Sequence, residues 1–111
     1  MDNRIDNYKD FYLFYLSEHK NTTCRVLHVV GTTIVLALFL TMIYYRDFSL
    51  FWLIPVIGYG FAWVGHFFFE KNKPATFTYP LWSLKSDFKM YFDILGGKLK
   101  LDASTDAMYK F

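Results

Sequence analysis

The stretch Val29–Tyr45, VVGTTIVLALFLTMIYY, runs for 17 residues without a charged side chain. Arg46 and Asp47 interrupt it. Phe48–Phe69, FSLFWLIPVIGYGFAWVGHFFF, then adds 22 residues whose only ionisable side chains are Tyr59 and His66. A helix needs about 20 apolar residues, with a range near 17–25, to cross a bilayer. Two such runs flanking a charged pair predict a helical hairpin that spans a membrane twice. The soluble alternative is a buried helix pair. It leaves too little of a 111-residue chain to cover two helices that are apolar all round. The composition, 54% hydrophobic and 23% aromatic, is likewise rich for a soluble domain of this size.

Outward from the hairpin, the pattern changes on both sides. Ile5, Tyr8, Phe11, Tyr12, Tyr15 and Leu16 recur at three- and four-residue steps, with Asp6, Lys9 and Asp10 between them. Residues 1–20 therefore read as an amphipathic helix suited to a membrane surface or to packing on other helices, the first favoured by its many Tyr and Phe rings. Ser17–Thr23 is polar and ends it, and Asn21, Thr22 and Thr23 are candidate N-caps for the first span, 26–45. After the second span, 48–70, Leu81, Leu84, Phe88, Tyr91, Phe92 and Leu95 alternate with Lys85, Asp87, Lys89 and Asp93. This predicts a second amphipathic helix over 81–96, stopped by Gly96-Gly97. Residues 98–111 are expected to form a loosely ordered tail. The expected fold is all-α: one integral membrane domain, a two-span hairpin flanked by two interfacial helices. Pro55 is expected to kink the second span. Gly31, Gly58, Gly60 and Gly65 are expected to let the helices approach closely.

The charge balance narrows the partners. A net charge of +2, with no basic stripe and no Gly-rich phosphate loop, points away from nucleic acid. Cys24 is the single cysteine, so no internal disulfide forms, and it reads as a packing residue. The first 25 residues mix charges among apolar positions and are not expected to act as a cleavable leader. Lys and Arg number four before the first span, one between the spans and seven after the second. That excess outside the turn places both termini in the cytoplasm. The membrane is then the inner or plasma membrane of a bacterium, or the endoplasmic reticulum of a eukaryote.

The three histidines, His19, His28 and His66, carry the chemistry. His28 lies 18 residues before Arg46 and His66 lies 19 after Asp47. At 1.5 Å per residue, each is about 27–28 Å from the turn. An antiparallel hairpin brings them to one depth. His19 sits just outside that end, provided the chain breaks near Asn21. Glu70, four residues after His66, shares its face on a helix. Three imidazoles, or two or three with one carboxylate, suit Fe(II), Zn(II) or a similar ion, and the two-His-one-carboxylate set belongs to non-haem iron oxygenases. Structural histidines bonded at a membrane boundary are the competing reading.

Phe14-Tyr15-Leu16-Ser17-Glu18-His19, Asn21, His28-Val29-Val30-Gly31, Gly65-His66 through Glu70, and Pro74-Ala75 together resemble the family of small membrane proteins typified by the yeast 2-hydroxy fatty acid dioxygenase. The resemblance implies an Fe2+-dependent enzyme of fatty acid α-oxidation. Such an enzyme takes a 2-hydroxy fatty acid and O2 and releases an acid one carbon shorter. It implies His19, His28 and His66 as iron ligands; the helical spacing of Glu70 from His66 adds Glu70 as a fourth ligand or their partner. In that setting Tyr15, one turn before His19, is a candidate partner in catalysis. Lys71 and Lys73 are candidates to attract the substrate carboxylate, and the acyl tail is expected along the apolar faces of the spans. The alternatives are a non-catalytic metal- or lipid-binding small membrane protein and a lipid carrier. A di-iron hydroxylase needs more histidines than three unless copies share ligands in a homo-oligomer.

Overall fold

A computed structural model describes residues 5–74, 77–104 and 106–109. Among these residues are α1 (Tyr8–Ser17), α2 (Thr22–Tyr45), α3 (Leu53–Val64) and α4 (Pro80–Leu95). A π-helical segment, Gly65–Glu70, continues α3, and a 3-10 turn, Asp106–Met108, follows α4. The start of the expected 1–20 helix, residues 1–4, lies outside the described residues, as do Ala75 of the quoted motif and residues 110–111 of the tail.

Local chemistry sets the helix ends. Asn7 Oδ1 accepts the Asp10 N–H at 2.8 Å and starts α1. Asn21 Oδ1 accepts the Cys24 N–H at 3.2 Å, so Asn21 is the cap in use among the three candidates. α2 thereby begins four residues ahead of the expected 26–45 span. Residues 48–52 form turns, so α3 starts at Leu53 rather than Phe48. Pro55 then falls in the first turn, where its missing N–H removes no helical bond. α3 runs on through it as one continuous helix.

α2 and α3 pack as an antiparallel pair held close by two glycines. A Cβ on Gly31 would lie 2.8 Å from Phe61 Cβ, and one on Gly65 would lie 2.9 Å from Cys24 Sγ. Gly60 has no such neighbour, contrary to expectation. α2, and α3 taken together with the π-helical segment (Leu53–Glu70), are long and apolar enough to cross a membrane, with mean hydropathy 2.3 and 1.2. The chain itself covers only 22% and 17% of those stretches, so their apolar surface faces outward.

α1 and α4 cross the end of the hairpin that holds the chain termini. Their core is Phe11, Tyr12, Tyr15, Leu16 and Met90, with Leu99 from the tail. α4 turns a mixed face inward. Ser83, Ser86, Met90, Tyr91 and Asp93 are buried, while Leu81, Leu84, Phe92 and Leu95 are exposed, as the apolar side of an interfacial helix would be. The reason is the phenols of α1: Tyr12 donates to Asp93 at 2.7 Å, and Tyr8 and Ser86 hydroxyls pair at 2.9 Å. Buried polar groups need such partners. Leu81, Leu84, Phe92 and Leu95 are thereby left on the outer surface, as are the apolar faces of α2 and α3.

The tail departs from expectation. Arg25, fully buried at the start of α2, donates to the Lys100 carbonyl at 2.8 Å and pairs with Asp106 at 2.6 Å. Tyr109 donates to Asp93 at 2.6 Å. A buried guanidinium requires a counter-charge and several acceptors, and Lys100 and Asp106 supply them, so the described part of the tail packs on the start of α2.

Candidate metal centre

His19 follows the end of α1, His28 lies two turns into α2, and His66 sits on the π-helical segment. All three are buried. Equal distance from the turn does bring His28 and His66 together, with ring centroids 5.3 Å apart. His19 closes the triangle at 4.6 Å from His28 and 4.3 Å from His66. The three potential ligand atoms lie within 4.8 Å of one another.

The hydrogen bonds fix which nitrogens face inward. His19 Nδ1 lies 2.7 Å from the Tyr15 carbonyl, and His28 Nδ1 lies 2.8 Å from the Cys24 carbonyl. His66 Nδ1 lies 2.7 Å from Asn72 Oδ1. The Asn72 amide is itself oriented, because its Nδ2 donates to the Glu18 carbonyl at 3.1 Å. Each acceptor requires a proton on Nδ1, which leaves Nε2 a bare lone pair on every ring. His19 Nε2 and His28 Nε2 then face each other at 3.2 Å with no proton to share. Two lone pairs at that distance repel unless a cation lies beside them. Burial and the neighbouring rings hold the pKa of His19 well below the usual imidazole range, so it remains a neutral ligand. The donor set therefore fits a first-row divalent ion: three neutral imidazoles, each braced through its other nitrogen. Ligands of one such ion lie up to about 4.2 Å apart, so binding requires only a small contraction.

The surroundings contain two residues that the pattern of the sequence did not single out. A void of about 10 Å³, close to the room of one water or ion, touches all three rings and Ser83. Ser83 Oγ is the one buried side-chain polar atom without a partner among the described residues. Asp87 lines the same void and accepts the Tyr15 hydroxyl. Burial raises the Asp87 pKa to about 7, partly offset by that Tyr15 hydroxyl. Ser83 and Asp87 look like polar-face residues of an amphipathic helix, and only the packing of α4 on α1 and α2 brings them to the imidazoles. Asn72 was hidden for a different reason. It reaches back to His66 because Lys71 takes a left-handed backbone, φ 59°, after the π-helical segment, and no helical periodicity anticipates that. Single π-helical turns are frequent at functional sites.

The other expected site residues sit around the triad rather than within it. Tyr15 stacks on His19, centroids 4.0 Å apart, besides offering its carbonyl. Glu70 is not among the three clustered ligands. Its Oε2 accepts the Asn21 N–H at 2.5 Å, at the start of α2. Lys71 and Lys73 are exposed on the loop that follows.

A family profile described as "Mpo1-like: 2-hydroxy-palmitic acid dioxygenase Mpo1-like" matches residues 5–99. Searches of curated proteins and of solved structures return no match.

Proposed function

The chain belongs to the Mpo1-like family, and from that premise we propose that it is an Fe2+-dependent dioxygenase of 2-hydroxy fatty acids, acting at the cytoplasmic boundary of a membrane. The observation that supports this most is the set of three imidazoles whose ligand atoms lie within 4.8 Å, each with Nδ1 tied to an acceptor. His19, His28 and His66 would hold the iron. Bound there, iron would supply O2 activation and a seat for the carboxylate and hydroxyl of the substrate.

The remaining roles belong to the chain. Burial of the three rings keeps bulk water from the reacting atoms. Ser83 donates its free hydroxyl to an oxygen of the substrate head. Tyr15 fixes the tautomer and tilt of His19 and holds Asp87. Glu70 anchors Asn21 and so the first turn of α2, which carries His28. Lys71 and Lys73 draw anionic head groups to this face. The hairpin crosses the bilayer, α1 and α4 lie at the interface, and both termini are cytoplasmic. One chain supplies all three histidines, so a homo-oligomer is not required for the site.

The test is elemental analysis of detergent-purified protein, together with O2 uptake on adding 2-hydroxypalmitate. One iron per chain and uptake that disappears in His19→Ala, His28→Ala and His66→Ala are expected. Iron-loaded protein that consumes no O2 with any 2-hydroxy acid would overturn the enzymatic reading.

A further inference from the structure

A cleft of about 240 Å³ runs between α2, α3 and α4. Its polar lining lies at one end. His28, Tyr59 and Asp87 line both this cleft and the small void at the three histidines, so the two adjoin. Away from that end the walls are apolar, with Val35 on α2, Ile54 and Pro55 on α3, and Leu84 and Phe88 on α4. From Ala62 to Ile54 the cleft follows eight residues of helix, about 12 Å at 1.5 Å per residue. It heads from the metal centre toward the turn of the hairpin.

We propose that this cleft binds one acyl chain, head toward Asp87 and His28 and tail toward Ile54, and that Gly58 opposite Val35 sets how much of the chain is enclosed. The proposal rests on the 2-hydroxy fatty acid reading for the identity of the head group. The occupant follows from the walls. A peptide would bring backbone N–H and C=O groups into a lining that leaves them unpaired, at a cost of several kcal/mol each. A hydrocarbon brings none. The rim is also continuous with apolar surface already turned outward, since Leu84 is 46% exposed and Val56 is 58% exposed. A chain can therefore enter sideways from lipid without crossing water. At about 1.3 Å per methylene, from carbon–carbon bonds near 1.5 Å, roughly nine carbons fit along the cleft. The remainder of a longer tail runs on among the lipid chains.

Gly58 lines the cleft midway between Ala62 and Ile54. A Cβ there meets Val35 Cγ2 at 3.6 Å, an ordinary contact, so alanine fits, whereas a leucine would project into the cleft. Two experiments on the full chain in detergent test the proposal. The first uses a palmitic acid analogue with a mid-chain diazirine. Adducts on Val35, Ile54 or Phe88, suppressed by excess palmitate, are expected. Adducts confined to the outward residues Leu40 and Phe51, and not suppressed, would overturn it. The second compares binding of palmitate and butanoate to Gly58→Leu and Gly58→Ala. Gly58→Leu should weaken palmitate by about 10- to 60-fold, the loss of two or three buried methylenes. Butanoate, whose chain ends short of Gly58, should weaken less and metal content should stay unchanged. Equal binding of palmitate by wild type and Gly58→Leu would remove Gly58 from the role. If Gly58→Leu does not fold, a graded loss in Gly58→Ala and the labelling pattern decide. Neither acid carries the 2-hydroxyl, so binding is read apart from turnover. Protein that labels in the cleft but never consumes O2 supports the acyl site and counts against the dioxygenase.

Discussion

The three imidazoles differ in what receives their Nδ1–H, and the difference ranks the variants. His19 and His28 donate to backbone carbonyls, which no side-chain substitution removes. His66 donates to a side chain, Asn72. Asn72→Ala should therefore lower metal affinity by about 10- to 100-fold, the usual cost of losing such a support. Glu70→Gln, which keeps an oxygen acceptor for the Asn21 N–H, should leave affinity within a few-fold. Metal titration of both variants checks this, and equal affinities for Asn72→Ala and wild type would refute the tautomer assignment. Asp87 supplies a pH dependence. Its folded pKa, about 7, lies above the ordinary carboxylate value because burial disfavours the charge. Its protonated form therefore favours the fold, and that contribution is complete below about pH 4 and is lost as pH rises through 7. The melting temperature should fall over that window in wild type and fall less in Asp87→Asn. An identical profile in the two proteins would show that Asp87 is ionised throughout.

At the scale of elements, the site depends on contacts that link helices far apart in sequence. Arg25 joins α2 to the tail and also donates to the His19 carbonyl, next to the metal centre. Removing its counter-charge with Asp106→Ala leaves a buried guanidinium partly uncompensated, which costs about 3–5 kcal/mol. Unfolding in detergent should show that loss. A change below about 1 kcal/mol would mean that water enters to replace Asp106. The α2–α3 contact is more demanding. Any side chain at Gly65 must displace Cys24, since even a Cβ would come within 2.9 Å of its sulfur and 3.3 Å of its Cα. Gly65→Val is expected to separate His66 from His28 and abolish metal binding even in protein that still folds, whereas Gly60→Ala should be silent.

For the whole molecule, the decisive feature is how its apolar surface is distributed. Tyr44, Tyr45, Phe48, Phe51 and Trp52 surround the hairpin turn and are all more than half exposed, as is Leu40. Aromatic residues in such a belt suit the far interface of a bilayer. The protein should partition wholly into membranes and require detergent for extraction. Protein that remains monodisperse in buffer alone would exclude the spanning arrangement. In a Cys24→Ser background, a cysteine at Asp47 should label from outside the cell and one at Lys110 only after permeabilisation. Labelling of Lys110 from outside would reverse the assigned topology.

The sequence by itself determined the helical class, the two apolar helices and the shared depth of His28 and His66, because each follows from quantities local to the chain: run length, rise per residue and the position of one turn. It also marked the break at Asn21 that lets His19 join them. Only the tertiary structure decided which face of α4 turns inward. The hydrophobic pattern shows that the helix is amphipathic but not which polar groups the rest of the fold receives, and here the phenols of α1 draw Ser86 and Asp93 inward while leucines face out. The same packing places Ser83 and Asp87 beside the imidazoles. Asn72 and the tail clasp on Arg25 were equally beyond local reading. A left-handed residue after a π-helical turn, and a charge whose partner lies 81 positions away, leave no periodic trace. What periodicity cannot carry is the pairing of polar groups across the fold, and here that pairing holds the three rings in place.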